Sequence, residues 1–398
     1  MAGIHVLHVL NSAHGGSAIS TFELIEALKS RGVTSSLVCF NNANDQQRKT
    51  ITDLVEGRVL FIPLYWMNKR IRVAWWKRPL LEMLTAIRTW WGYRYQAKIS
   101  ALIQREGVTV VHTSTILNPE GAIAAKRHNL PHVWHVRELI GPDKHYQFYN
   151  QKSWARYVST HCRILVANST ITAACLGRYF DKAKIVTIVN GIDVKKFQVK
   201  SHVPDKHPLI VGMVGSVTSR WKNHAHFIRT AVAFKNDSAI TFRIYGSLPE
   251  QNDPYLAGLS KLIRELDCES IVTFVPFARP DEIMREIDVL FHPTNLESFG
   301  RIFIEAMAGG IPVIGIVGGG GEEMIREGVN GFLVPPEDVD MAATRIQQLL
   351  ASAQLRSAFG AAGRQLVEQR YTLDYLAESM QNLYFRYSIR VFNKTRSF

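Results

Sequence analysis

Short apolar runs separated by helix-period segments set the rhythm of this chain. In the first half Ile4–Leu10, Leu37–Phe40, Val108–His112, His132–Val136, Arg163–Asn168 and Lys184–Val189 each read as a strand bounded by polar or glycine-containing loops. In the second half Leu209–Gly215, Thr241–Gly246, Ile271–Phe274 and Asp288–Phe291 do the same. Helical patterns fall between them, over 17–31 and 255–266, and again from Ala351 to the end with a break at Tyr371-Thr372. This alternation predicts an α/β fold. With 398 residues and 46% hydrophobic composition the chain can bury two cores. The turn Val189-Asn190-Gly191-Ile192-Asp193 closes the first domain, and the polar run to Pro208 reads as a linker. The expected division is therefore 1–200, 208–372 and a tail at 373–398.

One stretch, Phe291 to Glu323, concentrates the chemistry. It reads as strand end, loop, helix, strand and glycine loop. Glu297 lies in the loop before the helix, which Ser298-Phe299-Gly300 would open, and Glu305 lies two turns inside. Both carboxylates can then face the crevice at the strand ends, where carboxylates suit sugar hydroxyls. The amides from Ser298 to Arg301 would stand at the helix start, where they and the helix dipole favour a phosphate. Two glutamates at this spacing also occur on ordinary solvated helices. Glu305, however, lies between Ile304 and Ala306-Met307-Ala308, where a carboxylate is rarely placed for stability alone.

Charge divides the chain. The net charge is +13, yet residues 1–200 hold 27 Lys and Arg against 12 Asp and Glu, while residues 201–398 hold 20 against 22. The first half is thus suited to an anionic partner. Its densest piece, 63–98, sets Trp75, Trp76, Trp90 and Trp91 among Lys77, Arg78 and other cations, an interfacial composition that suits an acceptor site or an anionic membrane surface. A helix pair with core tryptophans and solvated cations would read the same way. No nucleic-acid-binding signature is visible, so no nucleic-acid partner is expected. Cys39, Cys162, Cys175 and Cys268 show neither metal spacing nor a disulfide framework, and all four are expected reduced. No apolar run reaches the roughly 18 residues of a membrane span. The first strand begins at Ile4, leaving no room for a secretory signal, so the expected location is cytoplasmic, with peripheral association at the inner face of the cell membrane.

The order ESFG, EAMA, Gly-x-Pro-Val-Ile and Gly-Gly-x-x-Glu within 297–323 resembles the E-x7-E signature of the retaining nucleotide-sugar glycosyltransferases, and most closely glycosyltransferase family 4. The resemblance implies the GT-B fold, two Rossmann-like domains facing across a cleft with a last helix crossing back to the first. It implies an acceptor domain first and a donor domain second, and transfer of a hexose from a nucleotide-diphospho-sugar to a glycan or lipid-linked acceptor with retention. Polysaccharide, lipopolysaccharide or glycolipid synthesis would be the setting. Residue by residue, it places Glu297 on the donor sugar, Glu305 on the ribose and Lys222 on the phosphates. His135 falls on a strand-end histidine that touches the sugar, and Gly16, beside Gly15, on a loop facing the phosphates. Gly215, Ser216, Gly246, Phe277, Ser298, Phe299 and Gly300 complete the implied donor set. Ser216 stands where the family keeps an arginine, so either Arg220 supplies the second cation from a shifted place or the phosphate clamp is weaker, and Pro276 stands where glycine is common. The catalytic set implied is Glu297, His135, Lys222 and Arg220.

No metal is required in this reading, because cations and a helix start neutralise the leaving phosphate. Asp338-Val-Asp340 spells a metal-binding DxD but reads as helix capping. Two alternatives share the fold: a nucleotide-sugar epimerase and a non-catalytic nucleotide-sugar-binding relative.

Overall fold

The computed structural model describes residues 3–63, 83, 94–141, 144, 146, 151–201, 208–248, 253–294 and 296–394. Trp75, Trp76, Lys77, Arg78, Trp90 and Trp91 lie outside the described residues. The chain divides into two compact units, 1–191 with 373–398, and 192–372.

The first unit is a seven-stranded parallel sheet. Its strands are β1 (His5–Leu10), β2 (Thr34–Phe40), β3 (Val59–Ile62), β4 (Val110–Thr113), β5 (His132–Val136), β6 (Ile164–Ala167) and β7 (Ile185–Thr187), in the order β3-β2-β1-β4-β5-β6-β7. Most positions of β1, β4, β5 and β6 are buried, as parallel strands covered on both faces require. Strand order reverses between β1 and β4, the place where such sheets open a crevice at their carboxyl ends. The helix Gly16–Ser30 and the last helix, Leu373–Lys394, belong to this unit, where Leu24 and Leu28 of the one and Leu376, Met380 and Tyr384 of the other share a core with Val6, Val110 and Val133.

The second unit is a six-stranded parallel sheet of β8 (Leu209–Val214), β9 (Ile240–Gly246), β10 (Val272–Pro276), β11 (Val289–Phe291), β12 (Val313–Ile316) and β13 (Gly331–Val334), in the order β10-β9-β8-β11-β12-β13. Its core gathers Val211, Met213, Phe227, Phe242, Ile244, Phe291, Ile314 and Ile346. Asp253 caps the helix Pro254–Glu265 through the amides of Tyr255 and Leu256. Asp338 accepts from the Met341 amide, 2.9 Å, as the capping reading expects.

Two expectations shift. The chain changes unit at Gly191, and residues 192–201 already belong to the second unit. Lys200 explains this: it pairs with Asp288 at 2.8 Å, nearly buried, and donates to the carbonyls of Glu286 and Ile287. The helix expected to open at Ser298 begins at Arg301 and runs to Ala308. Gly300 holds φ at 86°, a left-handed conformation that cannot continue a right-handed helix, and so serves as its N-cap. Glu305 therefore sits about one turn into the helix.

All four cysteines are free and buried. No described helix is long and apolar enough to cross a membrane.

Candidate active site

At the carboxyl end of β8 the chain turns at Gly215, passes a 3₁₀ turn at Arg220–Lys222 and enters the helix His224–Ala231 through Asn223, at φ 59°. Gly215 lets the lysine stem lie flat: an added Cβ there would sit 3.2 Å from the Lys222 Cγ. Gly246, ending β9, is pressed on the Gly215 carbonyl so closely that any side chain would overlap it. Guided along this floor, the Lys222 Nζ donates to Glu297 Oε2 at 2.7 Å, with each side chain about one-fifth exposed.

Glu297 is anchored from three sides. Its carbonyl accepts from the Gly320 amide at 2.8 Å, its carboxylate meets Lys222, and the His292 Nε2 lies 3.5 Å from Oε2. Burial alone would raise its pKa. The Lys222 charge, with the His292 hydrogen bond, outweighs this and holds the carboxyl well below the usual range. His292 shifts the same way for a different reason: burial first, then the Lys222 charge, keep its ring neutral. The site thus sets a carboxylate and a lysine amine side by side, 2.7 Å apart.

The remaining predicted donor residues differ in setting. Ser216 bonds Thr218 at 2.9 Å and accepts from Ser247 at 2.8 Å, so a chain of three hydroxyls lines the turn after β8. Arg220 is exposed and lies over the Tyr255 ring, 5.3 Å from its centroid. Phe277 is 56% exposed just after β10. Ser298 is half-buried, whereas Phe299 and Gly300 are buried. Gly320 packs against that bend, where an added Cβ would fall 2.6 Å from the Phe299 nitrogen.

Glu305 departs from the open crevice position expected of it. Its side chain is 7% exposed and accepts from Arg301 Nε at 2.7 Å, one helical turn earlier. The pairing answers why a carboxylate sits among Ile304, Ala306 and Met307.

His135 and Gly16 belong to the first unit. Gly16 is exposed at the start of its helix, behind Gly15 at φ 85°. His135 is fully buried and stacks on His112 with centroids 5.4 Å apart, and His112 tilts against His8 at 5.1 Å. The Tyr384 hydroxyl meets His112 Nδ1 at 2.7 Å. Burial drives the His112 and His135 pKa values well down, and that of His8 down to about 3. The three rings form a buried column across β1, β4 and β5, so His135, expected at a strand end that delivers a ligand, is instead enclosed among histidines. Sequence reasoning also passed over His292 and Thr294; the signal available was a histidine and a hydroxyl flanking Pro293 at a strand end.

Two family profiles match the chain: glycosyl transferases group 1 over residues 194–366, and glycosyltransferase family 4 over residues 14–196. A capsular polysaccharide biosynthesis glycosyltransferase, CapM, of Staphylococcus aureus is 23% identical over 259 residues, 62% of this chain and 67% of that one. A GDP-mannose-dependent phosphatidylinositol monomannoside mannosyltransferase of Mycobacterium tuberculosis is 32% identical over 137 residues, covering 32% of this chain and 36% of that protein. Among solved structures, Anabaena HepE in complex with UDP superposes with a TM-score of 0.76 at 20% identity, covering 96% of this chain and 99% of that one. The same protein with UDP-glucose gives 0.75 at 20% identity, over 96% and 99%. These likenesses show the fold, two α/β domains of the GT-B type.

Proposed function

This chain belongs to the family 4, group 1 glycosyltransferases of the GT-B fold, and from that premise we propose that it moves a hexose from a nucleotide-diphospho-sugar to an acceptor hydroxyl with retention of configuration. The observation that carries the reading is the Lys222–Glu297 pair on its glycine floor. When the nucleoside diphosphate departs, negative charge builds on the β-phosphate and the anomeric carbon becomes oxocarbenium-like. A preorganised ammonium stabilises the first most strongly at the transition state. Lys222 is the group for this, Arg220 is the second cation from the same turn, and Glu297 accepts from a hydroxyl of the sugar. Glu305 serves the ribose from its place beside Arg301.

The acceptor hydroxyl attacks on the face the leaving group vacates, and the leaving phosphate takes its proton, so no nucleophilic carboxylate and no metal ion take part. A UDP-sugar is the favoured donor because Anabaena HepE holds UDP and UDP-glucose in this fold. A glycan or lipid-linked acceptor fits the basic first half and the company of CapM, and peripheral association with an anionic membrane follows from the same charge.

Calorimetry and thermal shift with UDP-, GDP- and ADP-sugars, with chelator present, test this. Binding of one series raises the melting temperature. Weakening by Lys222→Ala and Glu305→Ala supports the reading. Absence of any binding, or a metal requirement, overturns it. NMR of the product's anomeric proton decides retention, and release of an epimerised nucleotide-sugar would favour the epimerase.

A further inference from the structure

We propose that His292 is a positioning residue that fixes the Glu297 carboxylate while Lys222 is drawn away to the donor phosphates, an inference that rests on the function proposed above. His292 follows β11, is fully buried, and sets its ring edge against Phe303 with centroids 5.5 Å apart. Its Nε2 lies 3.1 Å from Thr294 Oγ1 and 3.5 Å from Glu297 Oε2. The Thr294 hydroxyl donates to the Lys222 carbonyl at 3.3 Å, and the Lys222 ammonium returns to Glu297 Oε2. Four residues thus close a circuit that ties both the backbone and the side chain of Lys222 to one carboxylate oxygen.

The circuit assigns the tautomer. Glu297 Oε2 is an ionised carboxylate oxygen and can only accept, so the Nε2 facing it carries the hydrogen, and Thr294 accepts from the same N–H while its own hydroxyl hydrogen serves the Lys222 carbonyl. That N–H is shared between Thr294 and Glu297 Oε2. While Lys222 holds Oε2, the arm to Glu297 is the longer one. When the ammonium turns to a phosphate, Oε2 keeps a donor only in His292, and this arm tightens, as catalytic hydrogen bonds do in the loaded site. Oε1 is then left for the sugar hydroxyl. A neutral imidazole orients the carboxylate without a second cation competing for it.

Three proteins test this: wild type, His292→Gln, whose amide nitrogen places a donor near Nε2, and His292→Phe, which keeps the ring against Phe303 and removes the donor. The imidazole ¹⁵N spectrum of the full chain, with His292 assigned by its loss in His292→Gln, should show an Nε2–H tautomer in the neutral ring at about pH 7. For UDP release from UDP-glucose, His292→Phe should lower kcat about tenfold, the loss of one hydrogen bond to a charged group, with the Kd for UDP little changed. His292→Gln should recover most of kcat. An Nδ1–H tautomer, an unchanged kcat in His292→Phe, or equal damage in both variants overturns the proposal. If the wild type neither binds UDP nor cleaves UDP-glucose, the donor reading falls instead, and the ¹⁵N spectrum still decides where His292 places its hydrogen.

Discussion

Lys222 and Glu297, separated by 75 positions in the chain, meet at 2.7 Å with four-fifths of each side chain buried. Such a pair stabilises the fold less than the loss of one partner destabilises it, because the survivor keeps its desolvation cost. Lys222→Ala should therefore cost about 1–3 kcal/mol of unfolding free energy and at least tenfold in nucleoside diphosphate affinity. Lys222→Ala with Glu297→Gln should recover part of the stability and none of the affinity. Urea denaturation and calorimetry read the two effects separately; recovered affinity in the double variant would contradict a phosphate role for Lys222.

The Arg301–Glu305 pair calls for a cycle rather than a single change. Both side chains are largely buried and lie one helical turn apart. Arg301→Met, Glu305→Met and the double variant should give a coupling of about 1–3 kcal/mol in chemical denaturation. Nucleotide affinity separates packing from recognition: if Glu305 reaches the ribose, Glu305→Met weakens binding more than Arg301→Met does. Equal losses would leave Glu305 a structural acid.

Much of this architecture was legible in the chain because buried parallel strands are written as continuous Val- and Ile-rich runs. The expected His132–Val136 coincides with β5, and Leu209–Gly215 with β8 to within a residue. Helix starts were less legible. The pattern at 298–300 is apolar enough to belong to the next helix, but a glycine at φ 86° defers the start to Arg301, and conformation is not carried by hydrophobic period. Lys200 was hidden for another reason: a lysine in a polar run looks solvated until Asp288 and two carbonyls arrive from 86 to 88 positions away. The resemblance named Lys222 and Glu297 singly, while their pairing, and the part of His292 in it, is long-range or strand-end geometry that spacing does not express.

Gly246 and Gly258 make a matched pair of opposite sign. An alanine methyl at Gly246 would strike the Gly215 carbonyl, a backbone atom that cannot swing aside, whereas nothing lies within 4 Å of one at Gly258, inside the helix Pro254–Glu265. Gly246→Ala should cost about 1–3 kcal/mol and, by displacing the 215–216 turn, weaken nucleotide binding. Gly258→Ala should stabilise by about 0.5–1 kcal/mol with affinity unchanged. Thermal melts with and without UDP check both; a neutral Gly246→Ala would mean the strand ends can separate.

The histidine column predicts an acid weakness of the first unit. Burial lowers the pKa values of His8, to about 3, and His132, to about 4, and holds those of His112 and His135 well below the usual imidazole range. The unfolded chain binds these protons near 6.5 and the folded chain does not, so this stability is whole above pH 6.5 and declines as pH falls, down to about 4 for His132 and about 3 for His8. Each histidine should contribute about 1.4 kcal/mol of loss per pH unit in that window. Glu138, whose pKa burial raises, works in the opposite direction. His112→Gln removes one titrating group while leaving an amide near Tyr384, so it should flatten the dependence of unfolding free energy on pH between 6.5 and 5 by about one proton's worth. Denaturant midpoints at pH 7, 6 and 5 measure this directly. An unaltered slope would mean that His112 takes up its proton inside the folded unit, which the fully buried stack against His135 and Tyr384 argues against.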